Sequence, residues 1–96
     1  MKRYELAARA DRDLKAIYTY GARNFGHERA DTYVRDLHAK FALLAEHSRI
    51  GWDAAHLRRG YRRFEHRSHT IFYRVTDTGV RIMRILHRSM DPERHV

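Results

Sequence analysis

The stretch HTIFYRVTDTGVRIMRILH, residues 69–87, decides the fold. β-Branched and aromatic residues dominate on both sides of residues 77–79, Asp-Thr-Gly, which have the composition of a hairpin loop with glycine at a positive φ. The sequence therefore predicts two antiparallel strands, 69–76 and 80–87. Residues 61–66 are predicted to add a third strand, so that the C-terminal half forms a meander.

The N-terminal half has a different period. Apolar residues recur at helical spacing over residues 10–25 and again over residues 30–45. Gly26 supplies a stop signal, and we expect three or four residues to join two helices that fold back as an antiparallel hairpin. Residues 2–7 are predicted to be a short strand, and residues 48–60 a connecting loop.

The predicted order is β-α-α-β-β-β, an α+β fold of one domain over residues 1–96. The N-terminal strand and the helical hairpin pack on a small antiparallel C-terminal sheet. The strongest strands carry apolar residues on both faces, and Val80, Ile82, Arg84 and Leu86 are expected to share one of them. The second sheet face is either partly covered by the loop and the C-terminal tail or is a binding surface for a partner.

The composition is that of a small basic protein. Its 96 residues include 20 Lys and Arg against 12 Asp and Glu, and the formal net charge of +8 favours nucleic acid, an anionic membrane face or an acidic protein as partner. The absence of Cys excludes a disulfide framework and a cysteine nucleophile. Neither a signal peptide nor a membrane-spanning run is evident, so we expect a cytoplasmic protein with no membrane partner.

Arginine is the strongest chemical signal in the C-terminal half. Planar guanidinium groups among aromatic residues suit phosphate, carboxylate or stacked bases, although a solvated basic sheet edge has the same composition. The series comprises Arg58, Arg59, Arg62, Arg63, Arg67, Arg74, Arg81, Arg84 and Arg88.

The histidines give a weaker signal. His66 and His69 have no acidic or Cys partner at metal-site spacing, so we expect neither a metal nor a cofactor. His87, at the end of the last strand, is a candidate general acid–base near Arg62 or Arg63, a layout suited to RNA cleavage. The simpler interpretation of His87 is a packed strand terminus.

Several motifs resemble those of ParE toxins. Residues 10–18, ADRDLKAIY, are similar to the start of the first helix in that family, and residues 25–30, FGHERA, to its aromatic-glycine corner. Residues 57–62, LRRGYR, resemble the entry to the sheet. The most distinctive pieces are HTIFYRV at 69–75 and ILHRSMD at 85–91. The resemblance covers nearly the whole chain.

The resemblance implies a toxin of a bacterial type II toxin–antitoxin module that inhibits DNA gyrase and blocks replication, and is not itself an enzyme. It also implies a hetero-oligomer with a ParD-type antitoxin, whose C-terminal segment wraps the toxin and through which alone operator DNA is contacted. The residues predicted to bind the antitoxin are Tyr18, Tyr33, Leu37, Arg62, Phe72, Arg74 and Arg84. Those predicted to contact gyrase are His87, Arg88, Met90, Asp91 and Arg94.

Two alternatives stay open. The related RelE-like toxins cut mRNA on the ribosome with a basic and aromatic cluster and no metal. Here Thr70 stands where that branch has Arg, and no Tyr follows the last strand, which leaves Arg63 and His87 as a reduced catalytic set. A small basic module that binds nucleic acid directly needs no family resemblance, and its affinity would fall steeply with salt.

Overall fold

The computed structural model describes residues 1–96 and contains two long helices, one short helix and a five-stranded sheet. The predicted α+β class is confirmed, and so are the strands at 61–66 and 69–76. In chain order the elements are β1 (Arg3–Leu6), α1 (Ala8–Phe25), α2 (His27–Glu46), β2 (Trp52–Asp53), β3 (Tyr61–His66), β4 (His69–Thr76), β5 (Gly79–His87) and α3 (Pro92–His95).

The strands follow the order β1-β5-β4-β3-β2 across the sheet. The three long C-terminal strands form the predicted antiparallel meander, and β1 pairs in parallel with β5. This pairing sets Arg3 opposite Gly79, where φ is +152° and a Cβ atom would overlap the Arg3 carbonyl oxygen. Glycine is therefore required at position 79 by the close approach of β1 as well as by the hairpin.

The segment between α2 and β3 was predicted to be only a loop, and this is wrong at two residues. Trp52 and Asp53 form β2, which pairs with Arg63 and Arg62 at the edge of the sheet. A strand of two residues shows no alternation, so no periodic signal marked it.

The helical hairpin is tighter than predicted. A single residue, Gly26 with φ +90°, separates α1 from α2, instead of three or four. The hairpin is also close-packed near this turn, because a Cβ atom on Gly21 would lie 3.4 Å from the Cβ of Ala30. The two helices consequently leave the turn in contact with each other, and their shared apolar face covers the sheet.

The main core lies between the helical hairpin and one face of the sheet. Its fully buried members include Leu37, Phe41 and Leu44 from α2 with Tyr73 and Ile82 from the sheet. Each such side chain contributes about 1.5–3 kcal/mol through burial, so this layer holds the helices on the sheet.

The second sheet face is partly covered by the loop and the tail, as the first of the two alternatives predicted, and a groove beside the start of α1 stays open on it. A smaller cluster of Ala54, Tyr61, Phe72 and Leu86 is buried there. The partly buried residues packed on it come from the loop, β5 and the tail: Leu57, Met83, Met90 and Val96.

A bulge in the pairing of β4 with β5 corrects the predicted faces of β5. Phe72 pairs with Arg84, but its neighbour Tyr73 pairs with Ile82, so one extra residue is accommodated in β5. Val80 and Ile82 therefore face the helices, whereas Leu86 belongs to the cluster on the other face. The expectation that these residues share one face is wrong.

The C-terminal tail ends in a single helical turn. The Asp91 side chain accepts a hydrogen bond from the Glu93 amide at 3.1 Å, and Pro92 is the first helical residue. None of the helices combines the length and the apolar character needed to cross a lipid bilayer.

Candidate partner-binding site

An apolar groove opens between the helical hairpin and the ends of β4 and β5. It encloses about 590 Å³. Its lining combines small and aromatic residues, so that it has room for side chains of a second polypeptide. The lining residues from the two helices are Asp13, Ala16, Ile17, Tyr20, Gly21, Phe25, Arg29, Ala30 and Tyr33.

Two exposed aromatic residues form the rim of the apolar groove. Tyr20 is 56% exposed and Phe25 is 61% exposed, with ring centroids 6.4 Å apart in an edge-to-face arrangement. The Asn24 side chain donates a hydrogen bond to the Tyr20 carbonyl at 2.8 Å and fixes this last turn of α1. Large apolar side chains left exposed beside a groove are typical of an interaction surface.

One end of the apolar groove, which we call the polar end, is lined by polar side chains. The Tyr33 hydroxyl lies 2.6 Å from Nδ1 of His69. The rings of His69 and His87, which pair across β4 and β5, are nearly perpendicular with centroids 5.4 Å apart. Nδ1 of His87 lies 2.7 Å from the Ser89 hydroxyl. The polar end therefore offers hydrogen-bonding groups, whereas the apolar residues of α1 offer hydrophobic contact.

Burial keeps the His69 ring neutral at the polar end. Desolvation, followed by electrostatic repulsion from the His87 and His66 rings, lowers the pKa of His69 to about 4. A neutral imidazole can accept a hydrogen bond from the Tyr33 hydroxyl, and burial raises the pKa of that hydroxyl, so the donor keeps its proton.

An ion pair fixes Asp13, one of the residues that line the groove. Asp13 on α1 accepts from Nε and Nη2 of Arg84 at 2.8 and 3.0 Å, and from the Ile85 amide at 2.9 Å. The hydrogen bond with Asp13 raises the pKa of Arg84. Arg84 also donates to the His95 carbonyl, so one guanidinium joins α1, β5 and the tail.

Several residues predicted to bind an antitoxin have structural roles instead. Leu37 and Phe72 are fully buried, one in each core cluster, and neither side chain is accessible to a partner. Arg62 donates to the carbonyls of Arg49 and Gly51 at 3.1 and 2.6 Å and holds the loop after α2. Arg84 forms an ion pair with Asp13.

The other three predicted antitoxin contacts are at least partly exposed, but they do not form one surface. Tyr33 lines the apolar groove. Tyr18 lies outside the groove, with its hydroxyl 3.1 Å from Nδ1 of His27 across the hairpin. Arg74 is exposed and lies in a different, basic groove beside the start of α1.

The residues predicted to contact gyrase lie together at the end of β5 and in the tail. His87 and Met90 line the apolar groove. Arg88, Asp91 and Arg94 are exposed, and Asp91 caps α3. This segment therefore adjoins the apolar groove and shares two residues with it.

The pair Arg63 and His87, left open as a reduced ribonuclease set, does not form a common site. Arg63 lies 5.5 Å above the ring of Phe72, on the sheet face covered by the loop and the tail. His87 faces the apolar groove on the helix side, and β4 separates β3 from β5. Arg62 is also distant from His87, because its pairing partner in β4 is Tyr73 whereas that of His87 is His69. The expectation that His87 lies near Arg62 or Arg63 is therefore wrong.

The groove also contains residues that sequence reasoning assigned to the core or did not single out. Phe25 lies on the apolar stripe of α1, but its side chain is exposed in the groove. Asp13 was not singled out, because nothing local in the sequence indicates its partner in β5. No group of three His, Asp or Glu side chains has the arrangement of a metal site.

Comparisons with known proteins agree with this architecture. The family described as "ParE toxin of type II toxin-antitoxin system, parDE" matches residues 4–92. Toxin ParE1 of Caulobacter vibrioides is 44% identical over 96 residues, covering 100% of this chain and 99% of that protein. Toxin ParE1 of Mycobacterium tuberculosis is 36% identical over 95 residues, covering 98% and 97%.

A solved structure shares the fold. It is described as "Chromosomal ParDE TA system from P. aeruginosa" and matches with a TM-score of 0.75 at 25% identity, covering 91% of this chain and 96% of that one. Sequence and fold together define the class, which is that of toxins from type II toxin–antitoxin systems. Within this class, the chain belongs to the ParE toxin family, as its motifs predicted.

Proposed function

We propose that this toxin inhibits DNA gyrase by binding it, and that a ParD-type antitoxin neutralises the toxin by placing its C-terminal segment in the apolar groove. The observation that carries the proposal is the apolar groove itself, which has two exposed aromatic residues at its rim and lies in a chain of the ParE family. Contact with operator DNA is then made by the antitoxin, within a hetero-oligomer of the two proteins.

The groove has the features expected for a segment that folds on binding. An amphipathic helix or strand buries its apolar side chains against Ile17, Tyr20 and Phe25, and the polar end at Tyr33 and His69 supplies hydrogen bonds. A disordered partner segment loses conformational entropy when it binds, so contiguous apolar contact is needed to offset that cost. The net charge of +8 further favours an acidic segment.

Antitoxin docking is tested by placing a charge in the groove. We expect Ala16→Glu, in the groove lining, to abolish co-purification with the antitoxin encoded beside the toxin gene. Ala39→Glu is the matched control, because Ala39 is also exposed on a long helix but lies outside the groove. Equal antitoxin binding by the two variants would refute docking in the groove.

Gyrase inhibition is tested in two steps. Inducible expression without antitoxin is expected to activate a DNA-damage reporter while protein synthesis continues. Purified toxin is then expected to block supercoiling by purified gyrase, and Arg88→Ala with Arg94→Ala to weaken this block more than the exposed helix changes Arg23→Ala with Arg35→Ala. Immediate arrest of translation without damage signalling would contradict the proposal and point to mRNA cleavage.

A further inference from the structure

A second groove, distinct from the apolar one, lies beside the start of α1. It encloses about 450 Å³ and is lined by five arginines, Arg9, Arg58, Arg59, Arg74 and Arg84. The remaining lining residues are two alanines, Tyr61 and Met83, and no acidic residue is among them. We call it the arginine groove.

Three of these arginines have no carboxylate partner. Arg58, Arg59 and Arg74 are exposed, and none of the four ion pairs of the molecule includes them. Arg84 is neutralised by Asp13, and Arg9 donates one hydrogen bond, of 2.7 Å, to the His95 carbonyl. The groove therefore collects positive charge that the protein does not balance.

The turn that carries the arginines is well defined. The Tyr61 amide donates to the Arg58 carbonyl at 3.0 Å and closes the turn, in which Gly60 has φ +82°. A Cβ atom on Gly60 would lie 3.4 Å from two guanidinium nitrogens of Arg74, so this glycine lets Arg74 lie against the turn. Arg74 also pairs with Tyr61 across β3 and β4. The three unpaired arginines are thus held at one place.

We propose that the arginine groove binds phosphate groups of a nucleic-acid backbone without sequence preference. Planar guanidinium groups donate paired hydrogen bonds to phosphate oxygens, and several such contacts release counterions. Arginine clusters also recognise acidic peptide motifs, so an acidic peptide is the competing occupant, but this groove offers little apolar surface for the side chains between the charges. The only large apolar members here are Tyr61, which is buried, and Met83, which is largely packed in the second cluster.

The two grooves share no lining residue, although the Asp13–Arg84 ion pair connects them. Ala7 and the first two residues of α1 contribute to the arginine groove, whereas residues 13–25 of the same helix contribute to the apolar groove. A polypeptide in one and a phosphate backbone in the other do not overlap. Nucleic-acid binding is thereby separable from antitoxin docking.

The test measures the fluorescence anisotropy of a labelled DNA duplex of arbitrary sequence with the full chain alone, since an antitoxin would add its own DNA contacts. The groove variant is Arg58→Gln with Arg59→Gln and Arg74→Gln. The matched control replaces three exposed, unpaired helix arginines, Arg12, Arg23 and Arg35, by Gln and removes the same charge.

We expect the groove variant to bind at least about tenfold more weakly than the control at about 50 mM salt, with a log–log salt slope smaller in magnitude by about 3 than that of the wild type. Replacement of the same residues by Lys is expected to retain most of the affinity. Equal losses in groove variant and control, absence of binding by the wild type, or equal competition by polyglutamate would overturn the proposal.

A second measurement does not depend on the fold of any variant. Phenylglyoxal modifies accessible arginines, and mass spectrometry reports each position. We expect the duplex to protect Arg58, Arg59 and Arg74 but not Arg12 or Arg35. Uniform protection would indicate attraction by net charge alone and would contradict a defined site.

Discussion

Replacing Asp13 by Asn tests the role that the structure gives to the Asp13–Arg84 ion pair. The two side chains are only 16% and 11% exposed, and the carboxylate accepts from both the guanidinium and the Ile85 amide. Asn keeps the size of the side chain and one acceptor oxygen. It removes the charge that neutralises Arg84, so a mostly buried guanidinium loses its counter-ion.

The expected cost follows from this burial. Removing one partner of a buried ion pair lowers the free energy of unfolding by about 3–5 kcal/mol. Because Asn retains one acceptor oxygen, we expect a loss at the lower end of this range, about 3 kcal/mol. In a domain of this size that loss lowers Tm by about 12–24 °C. Because Arg84 also donates to the His95 carbonyl, the tail is expected to exchange its amide hydrogens faster.

Urea and thermal unfolding of the variant measure this cost, with Asp11→Asn as the matched control. Asp11 lies on the same helix and pairs with Lys15 at 3.0 Å, but these side chains are 45% and 77% exposed, so we expect a loss below about 1 kcal/mol. A double-mutant cycle with Arg84→Met is expected to give a coupling of at least about 1 kcal/mol. Equal losses for the two Asp variants would refute the reasoning.

Three further changes test other contacts. Lowering the pH below about 6.5 is expected to destabilise the fold, because the pKa of His69, about 4 when folded, lies below that of the unfolded chain and the unfolded state takes up the proton first. Urea unfolding at about pH 7 and about pH 4 measures how much stability is lost on acidification. The His69→Gln variant should lose about 1–2 kcal/mol less than the wild type, after allowance for solvent screening of the partly exposed ring. The same loss in both proteins would contradict this role of His69. Gly79→Ala is expected to cost about 4 kcal/mol, because it adds a clash with the Arg3 carbonyl to an unfavourable φ, whereas Gly26→Ala meets no atom within 4 Å and should cost about 2 kcal/mol; thermal melts that rank them equally would rule out the clash. Tyr73→Phe removes hydrogen bonds of 2.6 and 3.2 Å to the backbone of the loop after α2 and should cost about 1–3 kcal/mol in urea unfolding; a neutral result would show that water replaces them.

The meander was predictable because its signals are local. Alternation, β-branched residues and the Asp-Thr-Gly turn placed β3 and β4 at their observed bounds and β5 within one residue. The bulge near Met83 was not predictable, since it depends on how β5 is registered against β4. A shift of one residue exchanges the two faces of a strand. For this reason the prediction that Ile82 and Leu86 share one face of the sheet was wrong.

The candidate site was less predictable than the fold. Leu37 and Phe72 are apolar at positions where a core residue and a binding residue have the same sequence signal, and only their burial separates the two roles. Arg62 and Arg84 were grouped with exposed arginines. In the structure Arg62 donates to backbone carbonyls, and Arg84 donates to a carboxylate 71 residues away in the sequence. Long-range partners of this kind are set by tertiary packing, which composition and periodicity do not contain.

The position of the tail relative to the apolar groove bears on how neutralisation works. His87 and Met90 line that groove and also belong to the segment proposed to contact gyrase. On the proposed function, a polypeptide that fills the groove would cover part of the segment proposed to contact gyrase, and the toxin would need no change of fold to be silenced. Under this hypothesis antitoxin and gyrase compete for one surface, so adding antitoxin to a preformed toxin–gyrase complex should release the toxin in proportion to antitoxin bound. A stable ternary complex in gel filtration would show instead that the two partners use separate surfaces.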